Sequence, residues 1–198
     1  MIKNTLSSWS YKKLSMWEKC PYSVKLMYID RIPQPPPDPK YDKARERGIK
    51  FHEEIATSIT DGTPIPAAAK DFEEIVQQLR ENNAIVEQDH FLDNQWNRWD
   101  HGWKGHWLQV KQDVVVVKPE FVLTGDWKTG KKAGNEMSHF RQMQLYSLAA
   151  WRLYPGRPEF VSELYYIDQD DIWTITFKEA DLERALTDWD RKANAMFA

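Results

Sequence analysis

Val114-Val115-Val116-Val117 and Phe121-Val122-Leu123-Thr124 are separated only by Lys118-Pro119-Glu120, and this pair of apolar, β-branched runs constrains the fold more than any other feature. Such runs around a short Pro-containing connection read as an antiparallel hairpin. Gln112-Asp113 leads into the first run, and Gly125-Asp126-Trp127-Lys128-Thr129-Gly130 leaves the second. A hairpin folds the start of one run against the end of the other, so Asp113 and Asp126 become neighbours despite thirteen residues of separation. Strand alternation puts Asp126 and Lys128 on one face and Trp127 on the other. Two carboxylates and an ammonium gathered there suit metal-dependent phosphodiester hydrolysis. The carboxylates would hold a divalent cation through oxygen, and the lysine would stand beside the attacking water and the developing charge. Taken alone, Asp-x-Lys is a weak motif, because an Asp at a strand end is often a turn former and Lys-Thr-Gly is ordinary loop chemistry.

Apolar periodicity and turn residues sort the rest of the chain. Residues 10–18 read as a helix, and Pro21 is placed to open a second over 21–29. Residues 32–39 hold five prolines in eight positions, an extended strap. Helices follow over 42–58, ended by Asp61-Gly62, and over 66–83, with Phe72, Ile75, Val76 and Leu79 on one stripe. Residues 84–92, 107–117 and 121–128 read as strands, and 138–154 as a helix stopped by Pro155-Gly156. Two further strands, 160–167 and 172–177, flank Asp168-Gln169-Asp170-Asp171, and 179–196 form a last amphipathic helix. The order predicts an α/β fold, a central mixed β-sheet flanked by helices with an N-terminal helical segment. A single domain over 1–198 is expected, mostly helical over 1–83 and sheet-containing over 84–198.

Composition narrows the class. Cys20 is the only cysteine, which excludes an intramolecular disulfide framework and any cysteine-built zinc or iron–sulfur site. Residues 1–8 lack the apolar stretch of a signal peptide, and no segment approaches the ~20 apolar residues that span a bilayer. A soluble cytoplasmic protein with no membrane partner is expected. The net charge of −3 does not mark a nucleic-acid binder, but its distribution is uneven. Residues 1–50 carry eleven Lys/Arg against five Asp/Glu, whereas residues 71–100 carry two against eight. The basic first quarter is either a phosphate-facing side or a chance asymmetry of solvated helices.

Further side chains fall at suggestive spacings. Gly48 lies inside a predicted helix at a cost of roughly 1 kcal/mol relative to Ala, which asks for a packing or access reason. His52, one turn on, is either a metal-facing imidazole or a surface or capping histidine. Gln142 and Tyr146 are four apart and share a helix face. Together they could hold a phosphate or a terminal nucleotide, or they form a polar shoulder with Tyr146 in the core. Gln144 points elsewhere and is read as inert. Of the ten tryptophans, Trp96, Trp99, Trp103 and Trp107 crowd the stretch between the first two strands. They either stack on unpaired bases, at ~1–3 kcal/mol each, or fill the core and pin a long loop.

Gly48-x-x-x-His52, Asp113, Asp126-x-Lys128 with Thr129-Gly130, and Gln142-x-x-x-Tyr146, in that order, closely resemble the RecB-like branch of the PD-(D/E)XK nuclease superfamily. Ser10-Tyr11 and Cys20-Pro21-Tyr22 resemble the opening of that branch, and the likeness extends over about residues 8–166. The resemblance implies a restriction-endonuclease-like core and hydrolysis of DNA with Mg²⁺ or Mn²⁺. Carried over by position, it makes His52, Asp113 and Asp126 metal ligands and Lys128 the catalytic lysine, and the backbone carbonyl of Trp127 could fill a further position on the metal. Gln142 and Tyr146 would position DNA. Glu87 would assist the metal or orient the strand terminus, or else is an edge-strand solubility residue. Asp126 stands where many members have Glu. Some relatives carry an iron–sulfur cluster whose first ligand would be Cys20, but the other three cysteines are missing, so no cluster is expected.

No helicase motor is present in the sequence, so the resemblance points to stand-alone, phage-encoded or recombination-type exonucleases acting on DNA ends. Recombination, repair or phage DNA metabolism is the expected setting, in the host cytoplasm if the chain is phage-encoded. DNA is the expected partner, including single-stranded ends, with a homo-oligomer or a recombination protein as further possibilities. Lys12, Lys13, Arg45, Arg47, Lys50, Lys131, Lys132 and Arg141 are expected to face its phosphates. A structure-selective or nonspecific endonuclease with the same centre, and a catalytically inactive DNA-binding module, remain as alternatives.

Overall fold

A computed structural model describes residues 6–36 and 38–197. Residues 1–5, part of the stretch read for a leader, lie outside the described residues, as does Pro37 of the proline strap. Ser10 caps α1 (Tyr11–Lys19), and α2 (Pro21–Val24) opens on its proline. The expected helix over 21–29 changes character after one turn. Lys25–Ile29 is π-helical, with the Asp30 amide bonded to the Lys25 carbonyl at 2.9 Å. Lys25 also pairs with Asp30 there, and Arg31 ends the segment at φ 53°.

Helix α3 (Pro39–Asp61) outruns its expected bounds at both ends. The helix expected over 66–83 is split. Ala67–Phe72 is 3₁₀ with a kink at Ala69, and α4 (Glu73–Glu81) follows. The tighter turn, with three residues per repeat, points Ala69 and Phe72 into the same core, where both are buried.

The sheet comprises β1 (Ile85–Leu92), β2 (Leu108–Val117), β3 (Phe121–Lys128), β4 (Glu159–Tyr166) and β5 (Asp171–Lys178), side by side in chain order. All neighbours are antiparallel except β3 and β4, which the crossover helix α5 (Glu136–Leu153) makes parallel. Helix α6 (Glu179–Phe197) completes the chain. On one face of the sheet, Val115, Val122 and Phe160 pack with Leu145 and Leu148 of α5 and with Trp9, Trp96 and Trp189. On the other face, Val114, Val116, Trp127 and Tyr165 pack with Phe51 and Ile55 of α3 and with Phe72 and Val76. Burial on both faces is why the central strands read as unbroken apolar runs rather than as alternating ones. Each such side chain contributes about 1.5–3 kcal/mol.

Strand β2 changes face at Asp113. The β1–β2 register is constant from Ile85↔Val115 to Leu92↔Leu108, but Glu87 and Asp113 drop out of the ladder, and Glu87 takes φ 51°. Before the break, Gln112 donates to the Tyr146 carbonyl of α5 at 3.3 Å; after it, Val114 lies in the core beneath α3. The core-and-pinning alternative describes three of the four clustered tryptophans, Trp99 among them, whose indole nitrogen donates to the Gly102 and Lys104 carbonyls of its own loop. Trp96 is buried and donates to Asp190 at 2.6 Å, and Trp107 packs edge-on to Trp9. Trp103 is 70% exposed. Among the described residues, no helix is long and apolar enough to cross a membrane.

Candidate active site

Pairing of β2 with β3 begins at Val114↔Gly125, which sets Asp113 and Asp126 opposite one another one step further on. Gly125 is required for that approach. A Cβ there would meet the Tyr165 ring at 2.8 Å and the Val114 Cβ at 3.3 Å. Both carboxylates are buried, and Asp113 Oδ2 accepts a hydrogen bond from the Trp127 amide at 2.9 Å. The Trp127 ring faces the other way, against Phe51, Phe72 and Tyr165 at centroid distances of 6.0, 5.9 and 4.4 Å. The indole therefore anchors the strand from behind while its neighbours carry the polar groups.

Helix α3 brings the imidazole. Gly48 lies over the end of β3, where a Cβ would meet Thr129 Oγ1 at 3.3 Å, so the absent side chain lets helix and strand close up. One turn later His52 Nδ1 stands 3.3 Å from Asp113 Oδ2 and 3.4 Å from Glu87 Oε1. Burial opposes its protonation, but the hydrogen bond to Asp113 and the charges of Asp113, Asp126 and Glu87 outweigh it and raise the pKa to about 9. Burial, and then the charge of Asp126, raise the Asp113 carboxyl above the ordinary range. His52, Glu87 and Asp113 offer ligand atoms that all lie within 4.8 Å of one another. They line a cleft of ≈ 440 Å³ shared with Gly48 and Lys111. One nitrogen and several carboxylate oxygens are a donor set for a divalent ion such as Mg²⁺ or Mn²⁺. Acids crowded together and balanced by the His52 proton suit a divalent cation that displaces that proton and leaves the imidazole lone pair free to ligate.

The other half of the site is a chain of contacts through Gln142. Lys128 lies 2.5 Å from Asp126 Oδ2 as an ion pair and donates to Gln142 Oε1 at 2.8 Å. The Gln142 amide nitrogen donates to Asp126 Oδ1 at 3.0 Å and to the Tyr146 hydroxyl at 2.8 Å. Burial and the charges of Asp126 and Asp113 push the Tyr146 phenol well above its ordinary pKa, so it stays protonated. The structure thus brings all six expected side chains together. They divide, however, with His52 and Asp113 beside Glu87, and Asp126 tied to Lys128 and Gln142. Gln144 has a structural task, accepting from the Trp189 indole at 3.0 Å.

Two neighbours escaped the sequence reading. Lys111 Nζ pairs with Glu87 Oε2 at 2.5 Å, a contact that raises its pKa. A lone cation two residues before Asp113, in a strand with no other basic residue, was its available signal. His139 shares its Nδ1 with the Tyr166 hydroxyl at 2.8 Å and is lowered in pKa by burial and by Lys128. Its position three residues before Gln142, on the same helix face, could have marked it.

Most of the basic residues expected to face DNA are paired within the chain. Arg45 pairs with Asp42, Arg47 with Asp168, Lys50 with Glu54 and Lys132 with Asp171. Arg141 makes two bonds to Glu18, at 2.7 and 2.8 Å, and lies over Trp189. Lys13 donates to Ser8. Among the described residues Lys12 and Lys131 are exposed and form no ion pair.

The sequence profile of the PD-(D/E)XK nuclease superfamily matches residues 8–197. The chain belongs to this superfamily. PD-(D/E)XK proteins are nucleases that use divalent metal ions, and membership makes DNA the substrate implied here. The acid-and-histidine cluster agrees with that chemistry. Among solved structures the chain is similar to SSO0001, at 15% identity and TM-score 0.40 over 92% of this chain and 74% of that one. It is also similar to a protein named "Putative exonuclease" from Eubacterium rectale, at 12% identity and TM-score 0.46 over 97% and 83% of the two chains. No curated protein matches the sequence.

Proposed function

We propose that this PD-(D/E)XK protein is a stand-alone, RecB-like deoxyribonuclease that removes nucleotides from DNA ends with Mg²⁺ or Mn²⁺. One observation carries the reading: Asp113 and Asp126 face each other across β2 and β3, with His52 and Glu87 on one flank and Lys128 and Gln142 on the other. In this reading His52, Glu87, Asp113 and Asp126, with the carbonyl of Trp127, hold the cation. When bound, the ion supplies an activated water and neutralises charge on the phosphate.

Lys128 exchanges its contact with Asp126 for the water or a phosphate oxygen, where its ammonium stabilises the transition state. Gln142, freed from Lys128, offers its amide oxygen to the terminal nucleotide, while Tyr146 holds the amide nitrogen in place. Residues 1–83 contribute His52 and residues 84–198 the remaining groups, so the whole of 1–198 acts as one nuclease domain. Arg45, Arg47, Lys131, Lys132 and Arg141 contribute phosphate contacts, the paired ones by exchanging carboxylate for phosphate.

The test uses end-labelled linear DNA and covalently closed circular DNA of the same sequence, with each metal. Shortening of the linear DNA and an intact circle are expected. Nicking of the circle would overturn the exonuclease reading, and no hydrolysis with either ion would overturn catalysis.

A further inference from the structure

A second pocket, of ≈ 260 Å³, opens along the edge strand β1 just past Glu87. His90 forms part of its wall. The imidazole is 6% exposed, and its Nε2 has no hydrogen-bond partner among the described residues. A buried polar nitrogen left without a partner is costly, and such groups are normally met by protein, water or a ligand. Arg98 lines the same pocket, its guanidinium 5.9 Å from the Tyr154 ring centroid and without an ion pair among the described residues.

Trp99 supplies a fixed aromatic wall. Its indole nitrogen donates to the carbonyls of Gly102 and Lys104 at 3.0 and 3.2 Å, and its own amide donates to Phe91 at 2.8 Å. The loop is built around that ring. Gly105, at φ 89°, leaves space where a Cβ would come within 3.0 Å of it.

We infer that this pocket binds one nucleotide, its base against Trp99 and Tyr154 and its phosphate on Arg98. Two half-buried rings favour a flat π-system, and arginine is suited to phosphate. His90 offers the base edge a hydrogen-bonding nitrogen, while Asp89 and Asp100 accept from exocyclic amines. Those carboxylates also disfavour a polyphosphate, and the volume, below the ~300 Å³ of most small-molecule sites, admits little beyond one base. The nucleotide could come from the substrate strand or from solution. Only the first source rests on the DNA-hydrolysis reading.

The test uses metal-free protein carrying Asp113→Asn, so that binding is read without cleavage. Calorimetry with dAMP is expected to show binding that Arg98→Gln and His90→Phe each weaken by about tenfold or more, while Lys128→Ala leaves it unchanged. Arg98 is on the surface, so its substitution reports on the site even if His90→Phe unfolds the protein. No dAMP binding up to millimolar concentration, or binding indifferent to Arg98→Gln, overturns the inference. A single-stranded oligonucleotide separates the sources. If one abasic position weakens its binding and Arg98→Gln erases that difference, a base of the strand occupies the pocket. If the abasic position has no effect while dAMP still depends on Arg98, the occupant is the free nucleotide.

Discussion

Lys128 donates to Oε1 of Gln142 at 2.8 Å, across the fourteen residues that separate the end of β3 from the middle of α5. Because the same glutamine donates to Asp126, the lysine is held at the acid pair without being buried in it. Lys128→Ala is expected to lower the cleavage rate by about 10²–10⁴-fold while changing DNA affinity little. Single-turnover digestion and equilibrium binding to the same labelled DNA read the two quantities separately. Undiminished turnover would remove Lys128 from the chemistry.

Asp113 is placed to touch the cation directly, since it sits between His52 and the Trp127 amide. Asp113→Asn should abolish Mn²⁺ binding in calorimetry along with activity, and Glu87→Gln should weaken it by a smaller factor. Normal Mn²⁺ affinity in the asparagine variant would show that the ligands lie elsewhere.

Gly125 has no room for a methyl group beneath Tyr165. Gly125→Ala is expected to destabilise the fold by about 1–3 kcal/mol, the usual cost of overpacking. Urea unfolding measures this. The penalty should shrink in a Tyr165→Leu background, because the two sites share one contact.

His90 gives the fold a pH-dependent component. Burial, and then the charge of Arg98, lower its pKa to about 4, against a smaller raising effect from Asp89; Asp100 and Tyr154 line the same space. The unfolded imidazole takes up a proton at a higher pH than the folded one does. The stability contribution is therefore full above about pH 6.5 and is lost as the pH falls toward 4, by up to about 3 kcal/mol. Unfolding curves of the parent protein and His90→Phe, measured at matched pH, should diverge across that window in the direction of greater acid tolerance for the variant. Parallel pH profiles would contradict the assignment.

Lys131 and Arg141 should behave differently as phosphate contacts. Lys131 is exposed, so Lys131→Ala is expected to flatten the log–log salt dependence of duplex binding by about 0.9. Arg141 is held by Glu18 and Trp189, and Arg141→Ala should instead lower thermal stability. Fluorescence anisotropy across a salt series, with thermal melts of the same variants, tests both. An unchanged salt slope for Lys131→Ala would take that residue out of the DNA surface.

Much of the site was legible because its spacing is local. Asp126 and Lys128 share a strand face by the two-residue period, Gln142 and Tyr146 share a helix face by the four-residue one, and the hairpin turn brings Asp113 opposite Asp126. Glu87 was harder to place, because its approach to Asp113 depends on a break in the β1–β2 ladder and a positive φ that no periodicity announces. The π turn after α2 and the 3₁₀ entry to α4 were missed for a related reason. Apolar spacing of three, four or five residues is ambiguous until a partner surface selects the turn.

From the sequence alone follow the order of helices and strands, the mixed sheet and the chemical identity of the central residues, since these depend on side-chain period, turn formers and residue type. Tertiary structure alone decided that Asp126 pairs with Lys128 while His52, Glu87 and Asp113 gather around one point, and that His90 and Arg98 share a pocket. Those outcomes depend on how closely α3, α5 and the 93–107 loop approach the sheet. That distance is set by packed volume, here by what Gly48, Gly125 and Gly105 leave empty, and packed volume is a property of neighbours remote in the chain.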